Sequence, residues 1–345
     1  MPAPSSEFPA QNQAPGSDYF PEADLLESGS MATELVGPGG IADGQVRELE
    51  ALHILDPDQV GSGAIKKRLG LGFWIASGWV AFITLLAILA PVLPLESPSK
   101  VSSCIKYPIL STCTKAGVDT FHVLGTDSLG RDTLSRIIWG ARVSLSVGLI
   151  AIVFGLIVGG IIGLIAGFYK GRLEGLLMGS MDVLLAFPAL LLALAIITFT
   201  NNRSILVISL AIGIVSIAPI ARLVRASTLM FGEREFVLAS RTLGASNSRI
   251  ISREIFPNVV LPVLSFAIIG VAVAIVAEGG LAFLGLSVAP PTPTWGGMIN
   301  EGRNVLETDP QIALIPSAVL FLTVLMLNFA GDRVREYFDV KEGGL

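Results

Sequence analysis

The chain has 345 residues, 52% hydrophobic and 15% charged, with a mean hydropathy of +0.71. Soluble globular domains carry about 25% charged residues, so the composition excludes a soluble enzyme, gives no basis for a nucleic-acid partner, and indicates a polytopic membrane protein. The net charge of −5 is uneven: residues 1–65 hold eleven Asp/Glu and a single basic residue, Arg47, which leaves +5 for residues 66–345.

Residues 1–65 are rich in Pro, Ser, Gly and acidic side chains and lack the apolar surface needed to fold alone. They also lack a basic start followed by an early apolar run, so they do not read as a signal peptide. A disordered acidic cytosolic tail is expected here, followed by a membrane domain over 66–345.

A spanning helix needs about 20 apolar residues. Six stretches qualify: Leu71–Pro91, Val143–Phe168, Leu176–Thr200, Ser204–Ala221, Val259–Ala277 and Gln311–Ala330. The expected fold is therefore all-α with six transmembrane helices. No internal repeat is visible, so the inverted-repeat plan of secondary transporters is not indicated. With the N-terminus inside, fourteen Lys/Arg fall on the cytosolic side and eight outside, which favours both termini in the cytosol.

The longest outer loop, 92–142, holds both cysteines, Cys104 and Cys113. An extracytoplasmic setting is oxidising, and a Cys104–Cys113 disulfide is expected; a closure of this size is worth about 3 kcal/mol in the chain-entropy model. The loop ends in Gly125-Thr126-Asp127, Gly130-Arg131-Asp132 and Ser135-Arg136, with Leu134, Ile137, Ile138 and Ala141 on one helical face. This reads as an interfacial helix leading into the second span. Asp127, Arg131 and Asp132 have no ligand set or general base beside them and read as a hydrogen-bonded helix start.

The second span carries Gly155, Gly159, Gly163 and Gly167, a ladder that lets another helix approach closely. Asp182 in the third span and Glu278 at the end of the fifth are intramembrane charges, and such charges are functional by default. Both are candidate pathway or gate residues; each could instead pair with Arg222 or a backbone group.

Between the fourth and fifth spans, the loop 222–258 contains Phe236 to Asn258. Its Arg241, Arg249, Arg253 and Glu254 keep it out of hydrocarbon. Phe236 to Leu243 favours a helix that stops at Gly244; Ala245, Ser246 and Asn247 restart a second one, and Pro257 closes it. Two short helices joined by a small-residue corner make a knob suited to docking on a cytosolic protein.

Leu238-Ala239-Ser240, with Gly244 five residues after Ala239 and an Ile-rich stretch ending in Pro257, resembles the EAA loop of bacterial ABC-importer permeases, without the usual opening Glu. The run from Gly125 to Arg136 with Gly140-Ala141-Arg142 closely resembles the signature before the second span in the dipeptide, oligopeptide and nickel branch. Pro290-Pro291 to Glu301-Gly302-Arg303 and Asn328 to Asp339 are similar to segments of the same branch, although Val340 replaces a usual Pro. The resemblance covers about 66–340. It implies the type I ABC importer permease fold and ATPase coupling through Ala239, Ser240, Arg241, Gly244, Ala245, Ser246 and Pro257. It also implies a homologous second permease, two P-loop ATPase subunits or a fused one, and an extracytoplasmic substrate-binding lipoprotein.

No G-x-x-x-x-G-K-[ST], HExxH or GxSxG occurs, and His53 and His122 are the only histidines. The chain is thus expected to be non-catalytic and without cofactor or metal; the resemblance implies that ATP and Mg are held by the partner ATPases. The expected function is import of di- or oligopeptides across a bacterial inner membrane. Nickel or another small solute carried by the same importer type, or a stand-alone secondary transporter, are the alternatives.

Overall fold

The computed structural model describes residues 70–101, 108–115 and 118–342; the acidic N-terminal segment and Cys104 lie outside them. Helix α1 spans Leu71–Leu89, followed by a hairpin of strands β1 (Ser111–Lys115) and β2 (Val118–His122). Then come α2 (Thr133–Tyr169), α3 (Gly171–Ala186), α4 (Ala189–Thr200), α5 (Ile205–Gly232), α6 (Glu235–Thr242), α7 (Asn247–Phe283), α8 (Trp295–Arg303) and α9 (Gln311–Glu342). Helices α1, α2, α5, α7 and α9 are each long and apolar enough to cross a membrane, and the bent pair α3–α4 makes a sixth crossing.

The seam between α2 and α5 is the most extensive helix contact among the described residues. Gly155 faces Gly213 and Ser216, Gly159 faces Ile217 and Ala221, Gly163 faces Ala221 and Val224, and Gly167 faces Arg225 and Thr228. The ladder thus packs within this subunit. Both sequences ascend together, so α2 and α5 run parallel. The chain must cross back between them, and α3–α4 is that return. Helix α7 runs antiparallel to α2, since Gly148 meets Val271 and Ile275 whereas Ile152, one turn further along α2, meets Gly270. Helix α1 lies antiparallel on α9, with Gly72 against Phe329 and the Trp79 indole donating to Thr323 Oγ1 at 3.2 Å. Only Ala76, Ile83 and Ala87 of α1 are buried, as expected of a helix facing lipid over most of its surface.

Several elements differ from the sequence reading. The expected interfacial helix and second span are one 37-residue helix, α2, about 55 Å long. Asp132 caps it by accepting from Ser135 N at 2.7 Å, but Ser135 and Arg136 are buried rather than set on a solvent face. The third span is broken: α3 and α4 meet at 86°. Pro188 cannot donate to the helix ladder and pushes Phe187 into an extended conformation (φ −84, ψ 133). Pro257 does not close the knob, because Asn247–Phe283 is continuous. A π-helical segment, Ile250–Ile255, precedes the proline, and its wider turn absorbs a residue that would break regular α-geometry. Trp295, just after the Pro-rich stretch, is fully buried and donates to Ile137 O at 3.0 Å.

Candidate coupling knob and charged groove

The knob grows from the C-terminal end of α5. Helix α6 ends in a reciprocal pair of backbone bonds, Gly244 N to Arg241 O and Ala245 N to Ser240 O, both 3.0 Å. This closure needs a left-handed residue, and Gly244 supplies it at φ +77. Ser246 then occupies the N-cap of α7 without a side-chain capping bond, so backbone geometry sets the corner more than capping chemistry does.

The base of the knob is packed and its tip is open. Val237, Ile250 and Ile255 are fully buried against Ile220, Val224 and Phe231 of α5 and Val259 of α7, with Ala245 beside them. Arg241 lies over the Phe168 ring of α2, 5.6 Å from its centroid. At the tip, Leu243 is 87% exposed, Leu238 is half exposed, and a Cβ on Gly244 would meet nothing within 4 Å. Ala239, Arg241, Gly244 and Ser246 are exposed, whereas Ser240 and Ala245 are half-buried. Pro257 sits apart from this tip, near the start of the regular part of α7.

The second candidate region is a groove of about 570 Å³ between α3 and α5. Asp182 meets Arg222 at 2.5 Å, and Glu174 meets Arg225, whose Nε donates at 2.7 Å. Asp182 and Arg222 are more than half exposed. Gly171, Gly175 and Gly179 bare one side of α3, and a Cβ added at any of them would meet nothing. Glu174 and Arg225 were not singled out from sequence. The signal was available: Glu174 and Asp182 lie about two turns apart on α3, and Arg222 and Arg225 one turn apart on α5.

Glu278 is wholly buried and lines no open path. It does not meet Arg222. Ser144 of α2 donates to its Oε2 at 3.2 Å, and Ser287 donates to Oε1. Ser144 Oγ in turn accepts from Trp295 N at 3.3 Å. The carboxylate therefore ties α2, α7 and the start of α8 together. Gly296 makes this possible by bringing its backbone against Gly279 of α7, where a Cβ would lie 2.6 Å from the Gly279 Cα.

At the same end of the bundle, Asp127 accepts from Leu129 N (2.8 Å), Arg131 N (2.9 Å) and Arg131 Nε (2.7 Å). Glu301 of α8 accepts from Arg131 at 2.6 Å and from Arg136 at 2.8 Å. Arg136 Nε also lies 3.4 Å from Asp127, an ion pair without hydrogen-bond alignment. His122 Nδ1 and Asp132 Oδ1 are 2.9 Å apart. Asp127 and Glu301 offset Arg131 and Arg136, and the Arg–Glu301 pairs lock the loop to α8. Among the described residues no cluster of His, Cys, Asp and Glu is arranged to hold a metal ion. Of the cysteine pair, Cys113 lies on β1 opposite Thr120.

Residues 159–342 match the family model "Binding-protein-dependent transport system inner membrane component". The glutathione transport system permease protein GsiD of Salmonella typhimurium is 37% identical over 306 residues, covering 86% of this chain and 96% of its own. GsiD of Escherichia coli O157:H7 is 36% identical over 303 residues with the same coverage. The chain belongs to this family. It is a membrane-embedded permease subunit, the non-catalytic component of an ABC transport system. A solved inward-facing MetNI methionine ABC transporter aligns over 59% of the permease and 96% of its own chain, with 19% identity and a TM-score of 0.49. The family model begins inside α2, at the second rung of the glycine ladder, and takes in the groove, the knob and Glu278.

Proposed function

We propose that this permease is one half of the translocation pathway of an ATP-driven importer for short peptides, with glutathione-sized peptides as the first cargo to test. The observation that carries the reading is the knob: an exposed apolar tip on a base packed into two spanning helices. A partner that seats Leu243 and Leu238 would move α5 and α7 through Val237, Ile250 and Ile255. The coupling residues expected from sequence, Ala239 to Ser246, surround that tip; Pro257 serves the helix behind it. In this reading the knob end is cytosolic, both termini are inside, and the hairpin end faces a substrate-binding lipoprotein. A homologous second permease completes the pathway, and P-loop ATPase subunits, separate or fused, supply ATP and Mg; this chain needs no cofactor.

The α3–α5 groove supports the pathway assignment. Helix α5 is about 42 Å long, and Arg222 lies about 26 Å from its hairpin end. A hydrocarbon layer of about 30 Å centred on α5 would put Arg222 roughly 10 Å inside it. Exposed charge at that depth does not face lipid; it faces water or protein. Water in the cytosolic half of the pathway satisfies this requirement for Asp182, Arg222, Glu174 and Arg225 together.

The test is gentle-detergent purification of the tagged permease, identification of what accompanies it, and uptake into proteoliposomes. A second permease, P-loop ATPases and ATP-dependent uptake of labelled glutathione or dipeptides establish the reading. Nickel uptake in place of peptide would change the cargo. Uptake by the chain alone, driven by an ion gradient, would overturn it.

A further inference from the structure

A second, unrelated groove runs along the outside of the bundle between α2 and α7. It holds about 370 Å³ and is lined by aliphatic and aromatic side chains, among them Leu156, Ile161, Val260, Leu264 and Phe256. Gly160 forms its floor, and a Cβ placed there would meet nothing within 4 Å. The lining offers almost no polar group, so neither water nor a peptide is held there. The groove ends at Phe256, where α7 leaves the apolar layer. In the turns just before Phe256, Arg249 and Arg253 are both exposed and make no ion pair among the described residues. Glu254 is the one carboxylate of that stretch and is half-buried.

We infer that this groove binds an anionic phospholipid, its acyl chain lying over Gly160 and its headgroup phosphate against Arg249 and Arg253. An aliphatic channel within the bilayer, with unpaired cations where it meets the headgroup region, matches both parts of such a lipid. Two other cations near this end are already engaged: Arg225 pairs with Glu174, and Lys170 with Glu233. The orientation proposed above makes this an inner-leaflet lipid; the site itself is independent of the cargo. Bound there, the lipid would bridge α2 to the helix that carries the knob and couple lipid composition to its position.

The test uses the intact transporter in nanodiscs containing phosphatidylglycerol and phosphatidylcholine in equal amounts. A photoreactive residue at position 160, whose surroundings are open, reports what occupies the groove. Adducts with phosphatidylglycerol are expected in excess over phosphatidylcholine. Each of R249Q and R253Q is expected to reduce that excess about fivefold. Native mass spectrometry of the wild type and the double variant gives a second reading, with phosphatidylglycerol retained by the former only. Equal labelling of the two lipids would remove the headgroup site, and cross-linking to a partner permease would show that a protein helix fills the groove. Either result overturns the inference, while failure of peptide uptake would bear only on the proposed function.

Discussion

Gly159 and Gly160 are adjacent in α2, and the structure assigns them opposite responses to the same substitution. A Cβ at Gly159 would lie 2.6 Å from Ile217 O and 3.2 Å from Ala221 N, both backbone atoms of α5. Ordinary contact begins near 3.4 Å, so the helices would have to part by several tenths of an ångström along a seam that also includes Gly155, Gly163 and Gly167. Overpacking of this kind costs about 1–3 kcal/mol. A Cβ at Gly160 meets nothing, and replacing a mid-helix glycine by alanine gains about 0.5–1 kcal/mol. Purified G159A is therefore expected to unfold at lower temperature than wild type in one detergent, and G160A at the same or higher temperature. Scanning fluorimetry of the two variants side by side reads the difference directly. If both fall equally, or if G159A is neutral, the backbone-to-backbone reading of the α2–α5 seam is wrong.

At the knob, L243D removes an 87% exposed side chain that supports nothing in the fold. Insertion and thermal stability should be unchanged while ATPase co-purification falls, and normal co-purification would count against the tip. G244W meets no neighbour but forces a bulky residue into left-handed geometry, at a cost of about 1–2 kcal/mol; uptake should be lost from protein that still reaches the membrane, and normal uptake would speak against the corner. In the groove, D182N and R222Q should each impair transport, and the exchanged pair D182R/R222D should recover part of it; recovery in neither arrangement would show that the pair has no joint role. At the buried tie, E278A should destabilise by about 1–3 kcal/mol for each donor it orphans, and E278Q by less because an amide still accepts from one hydroxyl; equal melting of the two variants would refute this. Cys104 and Cys113 should resist alkylation until reduced, as mass spectrometry of the unreduced protein can establish.

The six crossings were legible because each is a long apolar run, and no folding detail is needed to see one. Their ends were not, because α2 and α5 continue as helices well past the apolar stretch, where hydropathy falls but backbone geometry does not change. Pro188 and Pro257 were both visible in the sequence, yet one bends its helix by 86° and the other lies within a continuous one. The difference is the π-helical segment ahead of Pro257, which depends on how Ile250 and Ile255 pack and leaves no local signature. The knob's corner was readable because Gly244 acts through its own φ angle. The burial of Arg136 was not, since its partner Glu301 lies 165 residues away. Asp182 stands out as a charge within an apolar run, with Arg222 as its candidate partner; Glu278 stands out for the same reason, but its partners are hydroxyls that sequence does not distinguish from any other serine.

The seam of glycines also fixes how motion can travel. Two parallel helices held at backbone contact over four successive rungs cannot slide or pivot separately, so α2 and α5 form one stiff spar. The knob is attached to the foot of that spar, and the Arg131–Glu301 lock stands at its head. A tilt of about 10° imposed at the foot of a 55 Å helix sweeps its head through roughly 10 Å. A modest nudge from below therefore becomes a large displacement above, and the elbow at Pro188 is where the α3–α4 return can bend to follow it.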